Sequence, residues 1–201
     1  MMRKPSANGR LVSPGGSPAL RIAVTVDAST CLRDYQVKLA EFNDADRAAA
    51  TAVLRPCIDV QRWVDQIADA RPFASVGELL DGAREAAAPF TADEIEAALA
   101  HHPRIGERPA AQTAEASMSR SEQAGVDPAD SAAADALARG NRAYEEKFGR
   151  VFLIRAAGRT APEILAALNE RLANTPAQED AIVAQLLREI ALLRLEGVIS
   201  E

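Results

Sequence analysis

Four short stretches of this sequence carry the same helix-start signal, a serine or threonine followed three residues later by glutamate or glutamine. In such a capping box, the hydroxyl and the acidic or amide side chain satisfy free backbone N–H groups of a first helical turn. The four stretches are Ser75–Glu78, Thr91–Glu94, Thr160–Glu163 and Thr175–Gln178. The last two also have a proline in the first turn, where its missing N–H costs little. These signals predict a series of helices in this part of the chain.

The composition agrees with an all-α fold. Only 4% of the 201 residues are aromatic, and alanine, the best helix former, is frequent. A chain of this length has room for one domain with a real core, and we expect a single compact bundle of about eight helices. The predicted helices lie near residues 44–54, 58–69, 75–88, 92–100, 118–125, 130–148, 161–173 and 176–198. Within this bundle, only VFLI at 151–154 has the pattern of an extended piece.

The first 35 residues differ from the rest of the chain. Residues 1 to about 18 are crowded with Pro, Gly, Ser and Asn and hold too little apolar surface to offset the entropy of ordering them. After them, LRIAVTV has the pattern of a short strand and RDYQVKLAEF that of a helix. We therefore expect a flexible extension over residues 1–35 and an all-α domain over residues 36–201.

Charge and cysteine content exclude several classes of function. With 23 basic and 29 acidic residues the net charge is −6, so we expect neither nucleic acid nor an anionic membrane as a partner. Cys31 and Cys57 are too few for a disulfide scaffold and, with only two histidines in the chain, make no recognisable zinc pattern. The sequence has no apolar run long enough to span a membrane and no convincing signal peptide. These features predict a cytoplasmic protein with reduced thiols and no bound metal.

The two histidines lie side by side at the predicted end of helix 92–100. Pro103 disfavours the helical conformation at His102, so the helix must end near this point. His101, in the last turn, is explained by the helix dipole, which favours a polar or cationic side chain there. His102 is either a surface histidine of a loop or a general acid or base, because imidazole titrates near neutral pH.

Arg194 lies on the apolar stripe of the last predicted helix, between Ile190 and Val198. A guanidinium on a buried stripe needs a partner, because its desolvation is expensive. The helical spacing alone favours an internal salt bridge or a stem that reaches the surface. The functional alternative is an arginine that binds a ligand anion at the mouth of a pocket.

Polar residues also cluster in SMSRSEQAG at 117–125, which contains Ser119, Glu122 and Gln123. Ser119 and Glu122 have capping-box spacing, so the spacing alone favours a helix cap as the role of Glu122. Gly106, in the loop after the histidines, fits a turn, and the charges around it are most simply solvated. None of these residues identifies a reaction by itself.

Taken together, six segments resemble the decarboxylases of 2-oxo-4-hydroxy-4-carboxy-5-ureidoimidazoline (OHCU), enzymes of urate breakdown. The segments are RPF at 71–73, HPRIGE at 102–107, SRSEQAG at 119–125, N-x-x-Y-x-x-K-F-G at 141–149, FLIRAAGRT at 152–160 and LLRLEGVI at 192–199. They occur in the family's order and cover roughly residues 40–199. Each motif is weak alone, but six in order are specific.

The resemblance implies an all-helical, cofactor-free enzyme, usually a homodimer, that converts its small-molecule substrate to (S)-allantoin. It implies that His102 is the catalytic histidine and Glu122 its acidic partner. It also implies a set of substrate-binding residues, namely Pro103, Ser119, Gln123, Phe152, Leu153, Ile154 and Arg194, in which residues 152–154 line the pocket with their backbone. The extension over residues 1–35 has no counterpart in these motifs, and the chain lacks the peroxisomal Ser-Lys-Leu ending of some relatives.

The chemistry implied by the resemblance needs no cofactor. The substrate's carboxylate is on a carbon next to a ring carbon–nitrogen double bond, so the substrate itself accepts the electrons released with carbon dioxide. Two alternatives stay open at this point. One is an all-helical interaction module without catalysis, in which Arg194 and Glu122 pair only structurally, and the other is a related enzyme acting on another ureido or imidazole acid.

Overall fold

A computed structural model of the chain describes residues 36–100, 102–107, 113–127 and 130–201. Nine α-helices and two short strands account for the regular structure of these residues. The helices are α1 (Leu39–Asp44), α2 (Arg47–Leu54), α3 (Gln61–Asp69), α4 (Val76–Ala86), α5 (Ala92–Ala100), α6 (Ala114–Glu122), α7 (Ser131–Phe148), α8 (Ala161–Arg171) and α9 (Pro176–Val198). The strands are β1 (Val37–Lys38) and β2 (Ile199–Ser200). The all-α prediction is confirmed, while the extension over residues 1–35, with LRIAVTV and Cys31, lies outside the described residues.

The four capping signals mark the observed starts of α4, α5, α8 and α9. At the start of α9, Thr175 N–H donates to Gln178 Oε1 at 2.9 Å, and Gln178 N–H donates to Thr175 Oγ1. The box at Thr91 has both reciprocal bonds as well. Helix starts were predictable here because the signal is local and depends on a few neighbouring side chains.

Two differences from the predicted helices concern α1 and α6. A separate helix α1 precedes α2, because Asp46 caps a new helix by accepting the N–H of Ala49. α6 begins at Ala114 and not near residue 118, because the Thr113 side chain caps it by accepting the N–H of Ala116. No acid or amide stands three residues after Thr113, so the capping-box pattern missed this start.

The apolar side chains form two clusters. The larger one joins α1–α5 with α9 and contains the fully buried Trp63, whose indole N–H donates to Ala83 O at 2.9 Å. The smaller one lies between α7 and α8. The predicted stripe of α9 is buried in the larger cluster, as its helical spacing indicated.

Residues 151–156 have no regular secondary structure, in agreement with the extended piece predicted at VFLI. Leu153 packs in the larger cluster, while Phe152 and Ile154 pack in the smaller one. Side chains that alternate between opposite sides are typical of extended backbone. This segment therefore lies between the two clusters.

Strands β1 and β2 pair in parallel, with Val37 opposite Ile199 and Lys38 opposite Ser200. The pair brings the first described residues next to the end of α9. In the part of the chain that the structure describes, no helix is long and apolar enough to cross a membrane.

Candidate active site

Arg194 stands at the centre of a buried polar cluster formed by α9, α6 and the turn after α2. Its Nε donates to Glu122 Oε1 at 2.6 Å and its Nη2 to Glu122 Oε2 at 2.8 Å, which is a bidentate ion pair. Nη2 also donates to Ser119 Oγ at 3.2 Å, and Nη1 to Pro56 O at 3.3 Å. The partner that a guanidinium on this stripe requires is thus a carboxylate 72 residues away in the chain.

Burial and charge act in opposite directions on this cluster. Burial alone lowers the pKa of Arg194, but the ion pair with Glu122 outweighs it and leaves that pKa raised. The neighbouring Cys57 is fully buried, and burial raises the pKa of its thiol to about 12. Cys57 is therefore an uncharged thiol at neutral pH.

The capping role that spacing favoured for Glu122 is wrong. α6 starts at Ala114, so Ser119 lies inside the helix and Glu122 is its last residue. Because neither residue caps a first turn, both side chains are available to Arg194. Ser119 is almost fully buried and Glu122 partly buried, which places the pair at the edge of the protein interior.

His102 follows α5, which ends at Ala100 as the neighbouring proline predicted. The backbone N–H of His102 donates to Leu99 O at 3.0 Å, and its ring Nδ1 lies 3.0 Å from Ala98 O. A carbonyl oxygen only accepts, so Nδ1 carries a proton and donates this bond. His102 is half-buried and its Nε2 atom is screened from solvent, whereas His101 lies outside the described residues.

The loop that follows, residues 102–107, is called the histidine loop below. Three consecutive residues of this loop, 104–106, bond to side chains of α7 or of the residue after α6. Each of these three interactions is called a tie below. Arg104 pairs with Glu145 of α7, and Ile105 O accepts a hydrogen bond from Asn141 Nδ2 of α7 at 2.9 Å. Gly106 N–H donates to Gln123 Oε1, also at 2.9 Å. The sequence favoured solvated charges in this loop, but Arg104 forms an ion pair with Glu145. Pro103, between His102 and Arg104, is half-buried.

Residues 152–154 are bonded to α8 through the carbonyl oxygen of Leu153. Arg171 Nη1 donates to Leu153 O at 2.5 Å, and the same guanidinium pairs with the fully buried Glu179 of α9. Tyr144 also donates to Glu179, and burial is the largest cause of the raised pKa of its phenol. The side chains of Phe152, Leu153 and Ile154 are all buried, so the predicted use of this segment through its backbone remains a prediction.

The structure brings part of the predicted site into direct contact. Arg194, Glu122 and Ser119 form one cluster, and Gln123, the residue after Glu122, ties that cluster to the histidine loop. Residues 152–154 are instead bonded to α8, where Arg171 donates to Leu153 O. The sequence assigned no role to Asn141, Glu145 or Arg171, although the first two are spaced four apart on α7, which places them on one helix face.

Two cavities lie elsewhere on the described part of the molecule. One, of about 490 Å³, lies between Pro89 and Phe90 and the middle of α9, and the other, of about 690 Å³, lies between α5 and residues 148–151. Their described lining includes none of the predicted site residues. Within the described ranges, no three His, Cys, Asp or Glu side chains are grouped so that they could hold a metal ion.

Comparison with known proteins agrees with these features. A family model described as OHCU decarboxylase matches residues 43–196. The 2-oxo-4-hydroxy-4-carboxy-5-ureidoimidazoline decarboxylase of Amia calva is 35% identical over 138 residues, which are 64% of this chain and 75% of that protein. The uric acid degradation bifunctional protein TTL of Arabidopsis thaliana is 39% identical over 107 residues, which are 52% of this chain and 33% of that protein.

Two solved structures share the fold. A crystal structure of OHCU decarboxylase in the presence of (S)-allantoin has a TM-score of 0.60 at 28% identity, covering 72% of this chain and 94% of that one. A crystal structure of (S)-allantoin synthase also has a TM-score of 0.60, at 18% identity, covering 81% of this chain and 54% of that one. The family match covers more than half of the chain and agrees with the all-α fold. This chain therefore belongs to the OHCU decarboxylase family, enzymes of urate degradation that act as carboxy-lyases.

Proposed function

We propose that this chain decarboxylates OHCU to (S)-allantoin without a cofactor, with proton transfer by His102 and its acidic partner Glu122. The observation that carries this proposal is the bond between His102 Nδ1 and Ala98 O, because it fixes the orientation of the imidazole at the start of the loop. Imidazole titrates near neutral pH, so a ring held in place in this way is suited to move a proton. It stands on the loop that Gln123 ties to the Glu122–Arg194 pair.

The reaction requires that one bond break and one proton be placed. When the bond to the carboxylate breaks, carbon dioxide leaves and its electron pair moves into the neighbouring ring carbon–nitrogen double bond. His102, with Glu122 as its proposed acidic partner, accepts the proton of the substrate hydroxyl or ring nitrogen, and one of these two residues then delivers a proton to one face of the new carbon centre. No external electron sink is required, because the substrate supplies its own.

Arg194 is proposed to bind the substrate carboxylate. A guanidinium has five N–H groups, and the described bonds to Glu122, Ser119 and Pro56 use four of them. The remaining N–H, on Nη1, is the donor proposed for the substrate. Glu122 fixes the plane of the guanidinium, because a bidentate pair orients both groups.

The remaining predicted contacts complete the proposal. Ser119 and Gln123 are proposed to contact the polar groups of the substrate, and Pro103 to lie beside it. The backbone of residues 152–154 is proposed to line the pocket, with Phe152, Leu153 and Ile154 packed away from it. The buried state of these three side chains supports this division between backbone and side chain.

The test is the conversion of freshly prepared OHCU, followed by circular dichroism. The variant H102A should lower the rate by about 10²- to 10⁴-fold, the usual contribution of general acid–base catalysis, while its far-ultraviolet spectrum stays unchanged. H101A, one residue away in the sequence, is the matched control and should keep the rate of the unmodified protein. A fully active H102A removes His102 from the mechanism. Racemic allantoin formed at the uncatalysed pace by the unmodified protein would contradict the proposed activity itself.

A related enzyme acting on another ureido or imidazole acid is the alternative that remains within this family. Profiling the same protein against a panel of such acids separates it from the proposed substrate. The interaction module without catalysis is not supported, because the family consists of decarboxylases.

Three further expectations accompany the proposal, on the domain, the oligomeric state and the location of the protein. We propose that residues 36–201 form the catalytic domain, which the family match over residues 43–196 supports. A homodimer and a cytoplasmic location rest on the resemblance alone. Light scattering of the purified protein, and fractionation of cells that express it, test the last two.

A further inference from the structure

Asn141 belongs to the motif N-x-x-Y-x-x-K-F-G and has no part in the proposed chemistry. It lies on α7 with 2% of its surface exposed, and its Nδ2 donates to Ile105 O in the histidine loop at 2.9 Å. Glu145, one turn further along α7, pairs with Arg104 of the same loop. One face of α7 therefore holds two consecutive residues of the segment that follows His102.

The third tie comes from the end of α6, where Gln123 Oε1 accepts the N–H of Gly106. Gly106 has a φ of +87°, a conformation that favours glycine, and a side chain there would meet Leu137 at 3.3 Å. The backbone of the histidine loop is thus set by its neighbours on both sides. At the start of the loop, the ring of His102 is bonded to Ala98 O of α5.

The three ties differ in how easily water replaces them. The side chains of Arg104 and Glu145 are 45% and 24% exposed, so solvent can take over part of that pair. Ile105 is buried, so its carbonyl has little access to water if the Asn141 amide is removed. Leaving a buried acceptor unsatisfied is costly, so the backbone at Ile105 should move when Asn141 is lost.

Asn141 also carries a cost that an apolar residue would not. Its Oδ1 is buried and has no hydrogen-bond partner in the described part of the chain. A residue whose only role was to fill the space between α7 and the loop would be better as an apolar side chain, because it would leave no polar atom unsatisfied. The amide is explained by the one bond that it makes, which fixes the position of Ile105.

We propose that Asn141 is a positioning residue for the proposed decarboxylation, which holds the histidine loop so that the His102 imidazole stays in its reactive place. The proposal rests on the proposed role of His102. The bond of Asn141 goes to Ile105 O, so its proposed action passes through the backbone from Ile105 to His102. A displacement of about 1 Å at a reacting group is enough to lower a rate by about 10²-fold.

The experiment compares N141L with I164A by steady-state kinetics and by NMR of the imidazole rings. Leucine keeps the volume of the side chain and removes the donor. Ile164 is fully buried in the same apolar cluster, so I164A lowers stability without removing a tie to the histidine loop. With only two histidines in the chain, H102A assigns the ring signals directly.

N141L should lower kcat about ten- to hundredfold with KM unchanged, and it should shift the His102 ring signals and the pH profile of kcat/KM. I164A should leave kcat, the His102 ring signals and the pH profile of kcat/KM unchanged at temperatures well below that at which it unfolds. In the H102A background, N141L should have no further effect on the rate, because its action passes through the ring. If N141L does not fold, N141A replaces it, since alanine is the best helix former.

Two results overturn the proposal. One is an N141L protein with unchanged kcat and unmoved ring signals, and the other is a rate loss by N141L that persists in full in the H102A background. Failure of the proposed function is a separate outcome, because it appears as a fully active H102A or as an inactive unmodified protein. The shift of the ring signals can be measured in either case.

Discussion

The buried pair of Arg194 and Glu122 gives the sharpest prediction, because it separates a structural role from a catalytic one. The side chain of Arg194 is 3% exposed and that of Glu122 is 28% exposed. Breaking a buried ion pair by removing one partner typically costs about 3 to 5 kcal/mol. Glu122 keeps some access to water, so R194M should lower the free energy of unfolding by about 3 kcal/mol, at the lower end of that range. For a chain of this size, that loss corresponds to a fall in Tm of about 6 to 12 °C.

The second variant, E122Q, leaves the guanidinium without its anion and should also destabilise the protein. The double variant R194M/E122Q removes both charges, so it should be more stable than the two single losses predict. The coupling free energy from the double-mutant cycle should be about 2 to 3 kcal/mol. Urea denaturation followed by circular dichroism measures all four proteins. The pair of Arg62 and Glu94 is the control, because its side chains are 37% and 19% exposed and its coupling should stay below about 1 kcal/mol.

Activity distinguishes the two roles of the pair. If Arg194 and Glu122 also take part in the reaction, the double variant should regain stability and remain almost inactive in the decarboxylation assay. A double variant that regains both stability and activity would show that the pair is only structural. Single losses that add up without coupling, within about 0.5 kcal/mol, would refute the energetic reasoning.

Three further predictions follow from packing and charge. G125A should destabilise the protein by about 1 to 3 kcal/mol, because a Cβ at Gly125 would lie 2.1 Å from Arg159 O, and thermal unfolding measures this loss. G197A should stabilise it by about 0.5 to 1 kcal/mol, because Gly197 lies in α9 with open space around its missing side chain, and a lower Tm would contradict this. Burial raises the pKa of Glu179, but hydrogen bonds, chiefly from Arg171, outweigh it and leave the pKa below its usual value of about 4.3. The stabilisation is therefore present above about pH 4.3 and is lost as the pH falls through the lower folded pKa, and urea titrations should show a flatter acid limb for E179Q than for the unmodified protein.

The helices of this fold were predictable where their start depends on neighbouring side chains. Thr91, Thr160 and Thr175 each begin a helix where the capping box predicted. The same rule misled at Ser119, which has the right spacing but lies inside α6. Whether a spacing acts as a cap depends on whether a helix has already begun, and Thr113 began this one without the expected acid.

The candidate site was predictable in its residue types more than in its contacts. The spacing along α9 placed Arg194 on a buried stripe, and burial of a guanidinium demands a partner. Nothing in the local sequence specifies that the partner is Glu122, because α6 and α9 meet only in the tertiary fold. The acceptor at Pro56 is a backbone carbonyl, which has no residue signature at all.

The family, its fold and its activity were predicted from six motifs read in order, and the comparisons confirm them. The roles of the individual site residues stay predictions. The motif that contains Asn141 helped to identify the family, but it did not indicate that the Asn141 amide bonds to the histidine loop.

The short parallel pairing of β1 with β2 has a practical consequence for redesigning the chain. Paired strands lie about 4.8 Å apart and this parallel pair is only two residues long, so Gln36, before β1, and Glu201, after β2, are within reach of a few glycines. With residues 1–35 removed, a circularly permuted gene that joins Glu201 to Gln36 through a short glycine linker and opens the chain at the turn before Thr175 should yield the same helices in a new order. Such a permutant would place a fusion partner or a surface attachment at the junction of α8 and α9, far along the sequence from Gln36.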